Sequence, residues 1–186
     1  MLTLVLMAGL PGAGKTTLAR KLGRELQWQV IDKDRYKEVL LQQGIDDDEA
    51  ARVAYDRSFE ELRTILVQQR SSVIFDTASL QHFILDTVKE IVDSAEDTQL
   101  KVILCFADRD LRNHRLRTRP YQSTNIRVDP FTTADYFHHF KHLPSDKLVL
   151  FTAKPFEECL DEAKAYILNS AEQVSTIVHR GTDLPA

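Results

Sequence analysis

Near its amino terminus the chain reads Gly9-Leu10-Pro11-Gly12-Ala13-Gly14-Lys15-Thr16-Thr17, directly after an apolar run at residues 2–8. That order predicts a buried strand, a glycine-rich turn and then a helix whose apolar residues are Leu18, Leu22 and Leu26. Glycines let the backbone curl until successive N–H groups face one anion. A Cβ at Gly14 would crowd that anion, and Lys15 brings charge to its outer part. Gly12, Ala13, Gly14, Lys15, Thr16 and Thr17 are therefore the candidate phosphate-holding residues, with the Thr16 hydroxyl offered to Mg²⁺.

The remainder alternates strand and helix. Strands are predicted at residues 2–8, 28–32, 72–76, 100–107 and 147–152, and helices at 15–26, 35–43, 48–69, 80–94, 110–119, 133–142 and 156–169. Five runs rich in Val, Ile, Leu and Phe separated by helices define an α/β fold, a five-stranded parallel sheet flanked by helices in P-loop NTPase style. With 186 residues there is room for one core. Residues 1–170 form that domain, with a helical lid at about 109–133, and residues 171–186 read as an appended tail.

In such sheets the ligand lies beyond the carboxyl ends of the strands, so the residues there carry the chemistry. The second strand runs out into Ile31-Asp32-Lys33-Asp34-Arg35-Tyr36-Lys37. A carboxylate at that place can take the proton of a hydroxyl attacking a γ-phosphate, and Asp34 is the candidate base. Its rival role is a cap on a helix beginning at Arg35. The third strand ends in Asp76, where a carboxylate can hold Mg²⁺ through its water shell or cap the next helix. Arg109, Arg112, Arg115, Arg117 and Arg119 crowd before Pro120. Helical spacing sets Arg112, Arg115 and Arg119 on one face, either as a cationic lid over a transferring phosphoryl group or as a solvated basic surface. The stretch from Arg35 to Arg70, with Tyr36, Lys37, Arg52, Tyr55 and Arg57, is the expected wall for an acceptor.

Composition removes several classes. A formal charge of −4 argues against coating nucleic acid or an anionic membrane by bulk electrostatics. No run approaches the length of a membrane span, and no basic segment precedes the first strand as in a signal peptide, so a cytoplasmic location is expected. Cys105 and Cys159 read as buried thiols without metal-ligand spacing. His138, His139 and His142 lack the pattern of a metalloprotease helix. No Asn-Lys-x-Asp guanine signature occurs, and Thr152-Ala153-Lys154-Pro155 is expected to border adenine, which favours ATP over GTP.

On these residues the chain resembles the small P-loop kinases related to polynucleotide kinase, the zeta toxins and chloramphenicol phosphotransferase, a group with an AAA-type ATP-binding domain and with shikimate and gluconate kinases as further cousins. The resemblance spans roughly residues 1–170. Gly9 to Thr17 is similar to the phosphate loop of that group, Asp34 matches its general base, and Ser72-Val73-Ile74-Phe75-Asp76-Thr77 is similar to its third strand. Arg115 and Arg119 fall on its lid positions. Lys37 stands where polynucleotide kinases carry an acceptor-gripping Arg, and lysine lacks the bidentate fork that reads a phosphate.

The resulting expectation is an ATP-dependent, Mg²⁺-requiring phosphotransferase acting on a hydroxyl acceptor, a small molecule ahead of a nucleic acid. Lys15, Asp34, Arg115 and Arg119 would be catalytic, Asp34 and Lys37 would meet the acceptor, and Thr16 with Asp76 would hold the metal. Two alternatives stand beside it: a nucleotide-dependent regulatory module with no separate acceptor, and a 5′-hydroxyl nucleic-acid kinase. Neither the acceptor nor the oligomeric state is legible at this level.

Overall fold

A computed structural model describes residues 1–78, 80–118 and 138–169. Its order is β1 (Leu2–Ala8), α1 (Lys15–Leu26), β2 (Gln29–Asp32), α2 (Lys33–Gln42), α3 (Asp47–Arg63) with a π-helical turn at Thr64–Gln68, β3 (Val73–Asp76), α4 (His82–Ser94), β4 (Thr98–Phe106), α5 (Arg109–Thr118), β5 (Leu148–Phe151) and α6 (Phe156–Leu168). All pairings are parallel, and the five strands lie in the order β2-β3-β1-β4-β5. The α/β expectation holds. Arg119, Pro120, most of the expected lid, the start of the helix expected at 133–142 and the tail at 171–186 lie outside the described residues.

β1 is the centre because both faces of it are apolar. Leu4, Leu6 and Ala8 point into one core with Phe59, Leu62, Phe75, Val88 and Leu104, while Val5 and Met7 point into the other with Leu18, Leu22, Ile74, Ile103, Leu160 and Ile167. Side chains alternate across a strand, so a run without polar interruption requires cover on both sides. α3 and α4 supply one cover, and α1 and α6 the other. A smaller apolar seam of Leu40, Ala50 and Ala54 joins α2 to α3.

Two helix starts differ from the sequence expectation for a physical reason. α2 begins at Lys33, not Arg35, because the Asp32 side chain accepts from the Asp34 N–H at 3.1 Å and closes the helix there. Asp34 therefore lies in the first turn, and its capping role falls. α4 begins at His82 with Gln81 before it and no side-chain cap, so Asp76 does not cap that helix. The helix expected over 48–69 ends in the π-helical turn, which carries Ile65 and Leu66 into the core.

Candidate active site

The loop between β1 and α1 is built on positive φ angles. Gly9, Gly12 and Gly14 have φ of 139°, 80° and 92°, a region L-residues avoid. Gly9 N–H donates to the Ala78 carbonyl at 3.2 Å, and Ala13 N–H donates to the Leu10 carbonyl at 3.1 Å. Gly14 caps α1 in the left-handed conformation without a side-chain bond, which sets the amino end of the helix at the loop. The Lys15 ammonium bends back to the Leu10 carbonyl at 3.1 Å. Gly12 is required for a reason the sequence does not disclose: a Cβ there would lie 2.7 Å from the backbone carbonyl oxygen of Arg112 in α5. At Gly14 the nearest atom to such a Cβ is the Arg115 guanidinium at 3.6 Å, so none of the described residues crowds that position.

The strand order sets what flanks this loop. On the β4–β5 side lies a cleft of about 390 Å³ whose lining includes Gly12, Gly14, Thr17, Arg115, Thr152 and Lys154. Arg115 braces it, donating to the Gly12 carbonyl at 3.3 Å, the Thr152 hydroxyl at 2.9 Å and the Thr152 carbonyl at 2.6 Å. The Thr152 hydroxyl in turn donates to the Ala13 carbonyl at 2.9 Å. Arg112, expected on the same open face, is instead fully buried beneath the loop, which overturns a solvated role for it.

On the β2–β3 side stand the carboxylates. Asp32 and Asp76 are partners in the register of β2 and β3, and Met7 of β1 is the next partner of Asp76. Asp76 is 3% exposed. Burial pushes its carboxyl up to about 6, opposed by the Lys15 charge and a hydrogen bond from Thr16. Asp34 keeps 43% of its side chain exposed and pairs with Lys33 at 2.6 Å. Burial works against the Lys33 charge, yet Asp34, Tyr55 and Asp32 hold its pKa above the ordinary lysine range. The Lys33 ammonium lies 5.1 Å from the Tyr55 ring centroid, and the Tyr55 hydroxyl meets the Thr77 hydroxyl at 3.2 Å. Lys37 is held by Asp47 at 2.8 Å, and Tyr36 donates to Glu61.

Thus the loop residues, Asp34, Asp76 and Arg115 fall along one rim of the sheet, while Lys37 turns to α3. Lys33, Thr77 and the Arg115–Thr152 brace were not foreseen as parts of it. Among the described residues no group of three or more His, Cys, Asp or Glu is arranged to hold a metal ion. No helix among them is long and apolar enough to cross a membrane.

The fold and this rim define a P-loop kinase/ATPase type of domain. The family profile described as an AAA domain matches residues 4–141, and the chain belongs to that family. Among solved structures, a candidate kinase from Chloroflexus aurantiacus is similar with a TM-score of 0.65 at 19% identity, over 89% of this chain and 98% of that one. A gluconokinase from Sinorhizobium meliloti is similar with a TM-score of 0.60 at 15% identity, over 89% of this chain and 91% of that one. Kti12 from Chaetomium thermophilum, solved with ADP-AlF3, is similar with a TM-score of 0.56 at 16% identity, over 89% of this chain and 100% of that one. No curated protein matches the chain. At these identities the likeness shows a shared fold, broader than the polynucleotide kinase and zeta toxin group that the motifs resemble.

Proposed function

We propose that the protein is an ATP-dependent, Mg²⁺-requiring phosphotransferase that moves the γ-phosphate of ATP to a hydroxyl of a small molecule. The observation that carries this reading is the arrangement across the sheet: a cleft on one side of the loop, and on the other a carboxylate, Asp34, that the helix beneath it does not use as a cap. A nucleoside in the cleft beside Thr152 and Lys154 would direct its phosphates over the loop toward that carboxylate. The loop amides and Lys15 would hold the β and γ phosphates once the ammonium leaves the Leu10 carbonyl. Asp34 would accept the acceptor proton on leaving its pair with Lys33.

The residues present fit a divalent cation. Asp76 is a buried carboxyl disfavoured as an anion, set against the Thr16 hydroxyl, and a cation there offsets the burial. One carboxylate and one hydroxyl suffice when substrate phosphates supply the remaining ligands. Such a metal would neutralise charge on the β and γ oxygens. Arg115 is the proposed cation on the nucleotide side, and Arg119 keeps the lid role that the resemblance implies.

Against a nucleic-acid acceptor stands Lys37. Its ammonium is committed to Asp47 and only 16% of the side chain is exposed, so it meets a phosphate poorly. The test is transfer of labelled γ-phosphate to sugars, nucleosides, amino sugars and 5′-hydroxyl oligonucleotides, with Asp34→Asn as the blank. Transfer to a small hydroxyl compound that this variant loses by about 100-fold or more supports the reading. Transfer undiminished in Asp34→Asn removes Asp34 as the base, and no transfer to any acceptor from a protein that binds ATP favours a regulatory ATPase module.

A further inference from the structure

A second cleft, of about 430 Å³, opens on the outer edge of the sheet. Its walls come from α1, the segment before β2, β2 itself and the first turn of α2, through Arg20, Arg24, Trp28, Val30, Asp32 and Arg35. None of these residues lines the cleft beside the phosphate loop. Its floor is tightly packed, since a Cβ on Gly23 would lie 2.4 Å from the Val30 side chain and 3.0 Å from the Trp28 carbonyl oxygen. α1 and β2, which carry most of the rim groups, thus cannot separate without losing that contact.

The charge balance of the rim is the informative part. Arg20 is neutralised by Asp32 at 3.1 Å. Among the described residues neither Arg24 nor Arg35 forms an ion pair. Two guanidiniums that form no ion pair among the described residues therefore line one cleft of a chain whose net charge is −4. Planar guanidinium forks match a phosphate monoester, and an indole beside them offers a surface to a planar ring. A volume in the range of small-ligand sites, roughly 300–1,000 Å³, holds a single nucleotide rather than a strand.

We propose that this edge cleft is a second ligand site, which takes a nucleoside monophosphate with its phosphate between Arg24 and Arg35 and its base against Trp28. The site is separate from the proposed ATP cleft and does not depend on phosphotransfer. Asp32 joins the edge cleft to the proposed base, because the carboxylate that pairs with Arg20 also caps the helix bearing Asp34.

Trp28 is the single tryptophan, so its emission reports the cleft directly. In the full chain, AMP is expected to change that emission saturably, with adenosine and inorganic phosphate each binding at least about tenfold more weakly than AMP. The Arg24→Ala/Arg35→Ala variant alters only exposed side chains and is expected to weaken AMP by about tenfold or more. Lys15→Ala is expected to leave the AMP response intact, which separates this site from the phosphate loop. Any of these results overturns the proposal: no saturable change with AMP; an unchanged response in the double arginine variant; loss of the response in Lys15→Ala; or inorganic phosphate binding as tightly as AMP. A thymidine oligonucleotide that binds far more tightly than AMP, with steep salt dependence, overturns it in favour of a strand.

Discussion

Asp32 and Asp34, two residues apart, are divided in labour by one hydrogen bond: the Asp32 carboxylate accepts the Asp34 N–H at 3.1 Å and so closes α2, which leaves the Asp34 carboxylate to point outward. Each also carries its own cation, Arg20 on Asp32 and Lys33 on Asp34.

The two carboxylates are accordingly expected to fail differently. Asp32→Ala removes a helix cap and is expected to lower stability by about 1 kcal/mol. Asp34→Asn keeps the cap but removes a partner of the largely buried Lys33, so it is expected to cost no more than about 1 kcal/mol while lowering phosphotransfer about 100-fold or more. Urea unfolding beside a transfer assay checks both. An Asp34→Asn protein destabilised well beyond Asp32→Ala would contradict the division.

Gly12→Ala and Gly44→Ala both place a methyl group at positive φ, 80° and 82°. Only the first meets an obstacle, the Arg112 carbonyl oxygen at 2.7 Å, whereas nothing lies within 4 Å of the second. Gly44→Ala is expected to cost the conformational penalty alone, about 1–2 kcal/mol. Gly12→Ala is expected to cost more, because α5 must shift away from the loop. Thermal unfolding of the two variants gives the comparison.

Asp76 has a folded pKa of about 6 against an ordinary value of 3.8. Because the folded value is the higher one, the stability linked to this group is present below about pH 4 and lost as pH rises through about 6. The total is on the order of 3 kcal/mol from the size of the shift. Without nucleotide or metal, Asp76→Asn is expected to match the parent protein near pH 4 and to exceed it in stability above pH 7. Denaturant titrations at several pH values read this difference, and a gap that does not grow with pH would exclude the account.

Arg115 and Thr152 share three contacts with each other and the loop. Arg115→Ala and Thr152→Val are therefore expected to be non-additive, with a coupling of roughly 0.5–3 kcal/mol in a double-mutant cycle on stability. A coupling of zero would mean that the brace contributes nothing to holding the loop.

Much of the rim was legible because it is local. The apolar run of β1, the glycine turn and the start of α1 are adjacent in sequence, so their pattern carries their geometry. The Asp32–Asp34 assignment was not legible, since either residue can cap and the choice depends on where β2 stops pairing with β3. Arg112 reads as one basic residue among five, and only tertiary packing puts it under Gly12. The Lys37–Asp47 pair is likewise invisible in spacing, because α3 brings Asp47 to α2. In each case the deciding contact comes from a different element, beyond the reach of spacing within one.

The strand that flanks β1 on the nucleotide side also carries Cys105, which is fully buried, and its burial pushes the thiol up to about 12; Cys159 in α6 is likewise buried and raised. At neutral pH the native chain thus holds almost no thiolate, and Cys105, unlike Cys159 at the wall of the cleft beside the loop, is sealed from electrophiles. Alkylation of Cys105 becomes a stopwatch for breathing of the central layers, marking each molecule that has opened far enough to wet that sulfur.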